Sequence, residues 1–196
     1  MTPQVIFDRV RIVLCRTSHP GNIGAAARAM KTMGLSRLYL VQPLCAVDEV
    51  ATARAAGADD VLVAAEVCGS LAEALGGCVH AAALSARLRD LGPVAVGVRE
   101  AVGPMLAQTA VGDVALVFGN ETSGLSNEEL QCCQQAVTIP SNPAYSSLNL
   151  GAAVQVMAYE LRMAAYGGLP PGPATQATPF VSVPAAIDDI ERFYVH

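Results

Sequence analysis

The chain has 196 residues, of which 53% are hydrophobic, 15% charged and 5% aromatic, and it contains no tryptophan. That length suits one domain with a sizeable core, and the apolar content excludes an intrinsically disordered chain. The formal net charge of −5 argues against a simple basic nucleic-acid binder, and no apolar run approaches the roughly 18 residues of a membrane span.

The N-terminal apolar stretch is broken by Asp8, Arg9 and Arg11, so no signal peptide and a soluble, cytoplasmic protein are expected. Arg11 to Cys15 (RIVLC) reads as a strand, followed by a turn over residues 17–21 and a helix from Asn22 to Gly34, a natural helix stop. Arg37 to Val41 reads as a strand, Asp48 to Ala56 as a weak helix, Asp60 to Val63 as a strand, and Ser70 to Leu75 as a short helix. Cys78 to Leu84 is a further strand, leading into a loop rich in Arg and Gly and an Ala-rich helix that ends near Ala110. Asp113 to Phe118 (DVALVF) is the clearest buried strand; a short helix at Asn127 to Cys133 and a strand at Ala136 to Ile139 follow. A long helix runs from Leu148 to Ala165, its Leu150, Val154, Met157 and Leu161 forming one apolar stripe. Alternating strands and helices, with continuously apolar strands, predict an α/β fold: a mostly parallel sheet with helices on both faces. The folded domain spans residues 1–166. Residues 167–184, with five prolines, read as a linker, and residues 185–196 read as the start of a C-terminal helical extension that the chain cuts short.

Charge is unevenly distributed. Residues 1–47 hold six basic side chains against Asp8 alone, a balance of +5, while the rest hold six basic and sixteen acidic, or −10. Eleven of the twelve basic residues are arginine, which suits forked contacts with phosphate; a GC-rich codon bias would give the same count. The six cysteines contain no Cys-x-x-Cys pair and the three histidines are scattered, so reduced structural thiols are expected, with no metal site.

Three loops carry the unusual chemistry. In the first, Asn22 is placed to cap a helix, and Gly24 and Arg28, four apart, share a face on which an anionic group can approach the backbone. In the second, Glu121 lies between Gly119 and Gly124 just past the most buried strand, where open α/β sheets bind ligands. Ser126 and Glu129 form a capping box there. In the third, Tyr145-Ser146-Ser147-Leu148-Asn149 opens the long helix, with serines as caps and Asn149 in its first turn. An ordinary capped helix, a solvated carboxylate and a plain helix cap are the respective bland readings.

Together the loops resemble the motifs of the SPOUT-class RNA methyltransferases, in their ribose 2′-O (SpoU/TrmH) branch. The matching residues are Asn22, Gly24 and Arg28; Gly119, Glu121 and Gly124; and Ser147, Leu148 and Asn149. The resemblance covers residues 11 to about 165. Within the branch, TSHPGNIGAAARAMKTMGL, NPAYSSLNL and DDIERFY are similar to bacterial tRNA methyltransferases acting on nucleotide 32 of the anticodon loop. Such relatives continue past the ERFY segment with further helical residues.

The resemblance implies a C-terminal trefoil knot, a homodimer whose sites use both subunits, and S-adenosylmethionine as cofactor, with no metal. The cofactor's adenosine is expected among Leu84, Ser85, Ala86, Gly119, Ile139, Ser146, Ser147 and Leu148, and the catalytic group comprises Arg28, Ser147, Asn149, Glu121 and Asn22. Neutralising a guanidinium at neutral pH costs roughly 7–8 kcal/mol. Arg28 is therefore better suited to holding phosphate and polarising the 2′-OH than to acting as base. Ser147 or a phosphate oxygen is then the proton relay, and Glu121 and Asn149 orient Arg28 and the ribose. The small residues Ala152, Ala153, Ala158, Ala164 and Ala165 of the long helix suit close approach of a second subunit. A ribosomal-RNA enzyme of the same branch and a non-catalytic nucleotide-binding module stay open as alternatives; the former usually carries a domain ahead of the first strand.

Overall fold

A computed structural model describes residues 2–85 and 95–167. In chain order these form α1 (Pro3–Phe7), β1 (Val10–Cys15), α2 (Pro20–Met33), β2 (Arg37–Val41), α3 (Glu49–Ala55), α4 (Asp59–Val63), β3 (Glu66–Cys68) and α5 (Leu71–Ala74). Then follow β4 (Cys78–Leu84), β5 (Ala95–Gly97), α6 (Val98–Gln108), β6 (Asp113–Phe118), α7 (Asn127–Gln131), β7 (Gln135–Thr138) and α8 (Leu150–Ala165). The strands make one seven-stranded sheet in the order β3-β2-β1-β6-β4-β7-β5, and every pairing is parallel. The Arg- and Gly-rich loop with Ala86, the Pro-rich segment beyond Gly167 and residues 185–196 lie outside the described residues.

All six residues of β1 are buried because both sheet faces are covered. The two-residue strand period still sorts them. Ile12, Leu14, Leu38, Leu40, Leu116 and Phe118 enter one core with the apolar stripes of α2, α3, α4, α6 and α8. Val13, Cys15, Tyr39, Val41, Ala115 and Val117 enter a thinner one covered around α5 and α7.

The structure corrects several sequence expectations. Asp60 to Val63 belongs to helix α4, not to a strand. A four-residue apolar run carries no period, whereas Asp59 and Asp60 in the first turn suit the positive end of a helix. The strand of that unit is β3, whose Glu66 and Val67 are exposed at the sheet edge. Four of the five alanines of α8 pack inward. Ala158 is 1% exposed and Ala153, Ala164 and Ala165 pack on the same core, where α8 meets α2 and α6; of the five, only Ala152 is exposed. Within the chain these small residues let α8 pack closely on α2 and α6.

The positive balance of residues 1–47 is also largely neutralised. At the N-terminal end of the sheet, Asp113 accepts hydrogen bonds from Arg11 at 2.8 Å and from Arg37 at 2.6 Å, while both guanidinium groups flank the Tyr39 ring. Burial opposes ionisation of Asp113, but the two arginines outweigh it and hold its carboxyl below the usual range. Arg16 pairs with Glu129, Lys31 with Asp60, and Arg9 donates to the Thr109 carbonyl. Among the described residues of the first 47, Arg28 alone is a cation with no hydrogen-bond or ion-pair partner. The six cysteines are free, and burial pushes the Cys15 and Cys133 thiols up to about 12.

Candidate active site

The three loops converge at the C-terminal ends of β1, β6 and β7, with β4 between β6 and β7. The first leaves β1 through Arg16, whose φ of +51° is rare for a residue with a side chain. Helix α2 is capped by His19, not Asn22: His19 Nδ1 accepts from the Gly21 N–H at 3.0 Å, and Pro20 stands at the first helical position. Asn22 is thereby freed for other contacts. Gly24 is not an opening for an anion, because its face lies against α3. A Cβ there would overlap the Ala51 carbonyl and lie 2.9 Å from Arg54 Cβ.

In the second loop, a Cβ on Gly119 would collide with the backbone of Gly124 and Leu125, so the loop closes tightly on itself. Asn120 Nδ2 donates to the Arg16 carbonyl at 2.6 Å, and its Oδ1 accepts from Thr122 and Ser123 N–H. Gly124, with φ of +68°, completes the turn. Arg16 Nη2 donates to Glu129 at 2.9 Å, and Glu129 also closes the expected capping box with Ser126. In the third loop the serines do not cap α8. Asn149 does, its Oδ1 accepting from the Gly151 N–H at 3.0 Å.

Hydrogen bonds tie the three loops together. Glu121 Oε1 accepts from Asn22 Nδ2 at 2.8 Å, and Oε2 accepts from the Ser18 N–H at 3.1 Å and the Ser18 hydroxyl at 2.9 Å. Asn22 Oδ1 accepts in turn from Asn149 Nδ2 at 3.0 Å. Burial would raise the Glu121 carboxyl, but the donors Asn22, Ser18 and its own N–H prevail and hold it below its ordinary value. Beside this network lies a cleft of about 270 Å³ lined by Leu84, Ser85, Phe118, the 119–125 loop, Val137, Ile139, Ser146, Ser147, Leu148, Leu150 and Ala153.

Of the residues singled out from sequence, Asn22, Glu121 and Asn149 touch one another directly. Leu84, Ser85, Gly119, Ile139, Ser146, Ser147 and Leu148 line the cleft together with Glu121. Ala86 lies outside the described residues. Arg28 is exposed and lines no part of this cleft, and among the described residues it has no ion pair within its own chain. Six residues separate it from Asn22, which places it about 9 Å along the axis and rotated by roughly 120° around it. Sequence reasoning missed Ser18, Asn120 and Arg16; their signal was proximity to the Gly-x-Glu-x-x-Gly and TSHP turns, not residue type. Among the described residues no helix is long and apolar enough to cross a membrane, and no three His, Cys, Asp or Glu residues gather to hold a metal.

The family model of the SpoU rRNA methylase family matches residues 9–159. A curated relative from Pectobacterium atrosepticum, the tRNA (cytidine/uridine-2′-O-)-methyltransferase TrmJ, is 51% identical over 193 residues, covering 97% of this chain and 78% of its own length. The tRNA (cytidine/uridine/adenosine-2′-O-)-methyltransferase TrmJ of Pseudomonas aeruginosa is 49% identical over 198 residues, covering 97% of this chain and 76% of its own. The crystal structure of TrmJ from Z. mobilis superposes with a TM-score of 0.74 at 37% identity, over 78% of this chain and 67% of that one. With the family model spanning most of the sequence and the motif loops meeting at one cleft, this chain belongs to the SpoU rRNA methylase family.

Proposed function

We propose that the chain transfers a methyl group from S-adenosylmethionine to a ribose 2′-OH of tRNA in the cytoplasm, at a cytidine or uridine at nucleotide 32 of the anticodon loop. The observation that carries this reading is the hydrogen-bonded joining of Asn22, Glu121 and Asn149 beside the cleft. The names of the curated relatives support the substrate. The Pseudomonas aeruginosa protein adds adenosine to the accepted bases.

The residues present fit the cofactor. The cleft of about 270 Å³ lies near the lower end of small-ligand sites and offers apolar Leu84, Ile139 and Leu148 beside loop backbone and serine hydroxyls. Leu84, Ser85, Ala86, Gly119, Ile139, Ser146, Ser147 and Leu148 are assigned to hold it. When bound, S-adenosylmethionine supplies an activated methyl group on a cationic sulfur. The chain's residues then have to place the 2′-OH in line with that methyl and dispose of its proton. Ser147, exposed at the cleft and without a hydrogen bond in the described structure, is suited to relay the proton to solvent or to a phosphate oxygen. Arg28 grips the phosphate beside the target ribose and favours the developing alkoxide.

Arg28 is turned away from Asn22 around α2, so a second copy is the natural supplier of this side chain to each cleft. A homodimer is therefore part of the proposal, as is the trefoil knot, which the interleaved order β6-β4-β7-β5 supports. Labelled S-adenosylmethionine incubated with separate tRNA and ribosomal RNA pools tests the reading. Label entering tRNA is expected. Label entering ribosomal RNA alone, or cofactor binding without transfer to either, overturns it.

A further inference from the structure

We infer that Ser18 is a positioning residue of the methyl-transfer site, holding the Glu121 carboxylate ionised and so fixing the direction of the Asn22 and Asn149 amides; this rests on the proposed function. Ser18 lies in the turn between β1 and α2, is exposed, and contributes nothing to either hydrophobic core. Its side chain nevertheless has one protein partner, Glu121 Oε2, which its own N–H also reaches.

The network has a direction that both of its ends enforce. At one end stands the Gly151 N–H, which can only donate, so the Asn149 atom facing it is the carbonyl oxygen. Asn149 must then present its NH₂ to Asn22, and Asn22 receives it on Oδ1. Asn22 in turn presents its own NH₂ to Glu121, which must accept on Oε1. At the other end the Ser18 N–H can only donate, so Oε2 must accept as well. Three of the roughly four lone-pair sites of the carboxylate are taken by donors, which favours its ionised form and holds the carboxyl below its ordinary value.

Two consequences follow for the reaction. Glu121, with three donors favouring its ionised form, is a poor acceptor for the 2′-OH proton. Asn22 and Asn149 each retain one N–H beyond those used in the network, so the network offers donors matched to a ribose or phosphate oxygen. The Ser18 hydroxyl makes one of the three bonds that keep Glu121 in its acceptor state. Without it Oε2 keeps only the Ser18 N–H and the carboxylate is held less firmly against Asn22 at every pH; in acid it is also easier to protonate, which turns a donor toward Asn22 or Ser18 and breaks the relay.

The test compares wild type, Ser18→Ala and Ser18→Thr as full chains. Two quantities are read: steady-state methylation of tRNA against pH, and the Glu121 carboxyl titration by carbon-13 NMR. Ser18→Ala is expected to lower kcat about tenfold with KM for tRNA and cofactor Kd within twofold, and to raise the acid limb and the Glu121 titration by about one pH unit. Ser18→Thr restores the hydroxyl and recovers most of both. A Ser18→Ala enzyme with wild-type kcat overturns the positioning role, whatever its titration. A loss that Ser18→Thr fails to recover, or one carried by KM alone, overturns it too. A wild type that methylates no RNA refutes the proposed function, and the titration then decides the network by itself: an unmoved Glu121 in Ser18→Ala refutes that as well.

Discussion

Gly24 and Gly103 both sit in helix interiors, and replacing each by alanine separates packing from propensity. Alanine in place of glycine within a helix gains about 0.5–1 kcal/mol. At Gly103 of α6 a new Cβ meets nothing within 4 Å beyond its chain neighbours, but Pro104 follows and disfavours the helical region for a residue with a Cβ before it. Gly103→Ala should therefore keep at most about 0.5 kcal/mol of that gain, raising Tm by no more than roughly 2 °C. At Gly24 the same Cβ overlaps the Ala51 carbonyl and comes within 2.9 Å of Arg54 Cβ. The obstacle is backbone of α3, not the end of a flexible side chain. Overpacking of this kind costs about 1–3 kcal/mol, which exceeds the propensity gain and leaves Gly24→Ala destabilised by about 1–2 kcal/mol, or roughly 2–8 °C. Thermal unfolding of the two variants beside wild type measures both signs. A stabilised Gly24→Ala with weakened ligand binding would refute the packing argument and restore Gly24 as an opening for an anion.

Arg28→Ala should leave stability within about 0.5 kcal/mol, since the side chain is exposed and unpartnered. Its methylation rate should fall on the order of a hundredfold or more while calorimetric cofactor affinity stays within a few-fold; an equal loss of affinity would show Arg28 to belong to the cofactor half of the site. Asp113→Ala should lose about 3 kcal/mol in denaturant unfolding, because it strands Arg11, only 10% exposed, and Arg37 together. With the Asp113 pKa lowered on folding, its contribution is complete above the ordinary carboxylate range and disappears as pH falls through the folded value, so the wild-type advantage over Asp113→Ala should vanish in acid. An advantage that persists at the lowest pH would contradict the ion pairs as its source. Light scattering should give twice the 20.2 kDa chain mass at micromolar concentration; a monomer would leave Arg28 without a cleft to serve.

Much of the scaffold was legible because buried parallel strands are written as unbroken apolar runs. Arg37–Val41, Cys78–Leu84 and Asp113–Phe118 begin and end where the sequence places them. The failures have physical causes. The run at 60–63 is too short to show a period, and the three-residue edge strands β3 and β5 bury too little to leave one. Caps were assigned by residue class, so the His19 ring was overlooked and Asn149 was placed one position too deep. The motif residues were visible as a set, but their partners were not. Sequence counted the charges of residues 1–47 without showing that Asp113, Glu129 and Asp60 answer most of them. Ser18 is marked only by its place in the TSHP turn, and its partner Glu121 comes beside it only on folding, across 103 residues.

The central claim is that the joined loops direct a methyl group to a ribose hydroxyl. The direct measurement is mass spectrometry of nucleosides from tRNA methylated by this chain, combined with nuclease mapping of the labelled position. The account predicts a 2′-O-methylated cytidine or uridine at nucleotide 32, lost on Arg28→Ala. A methyl group found on a base, or on a ribose outside the anticodon loop, would contradict it.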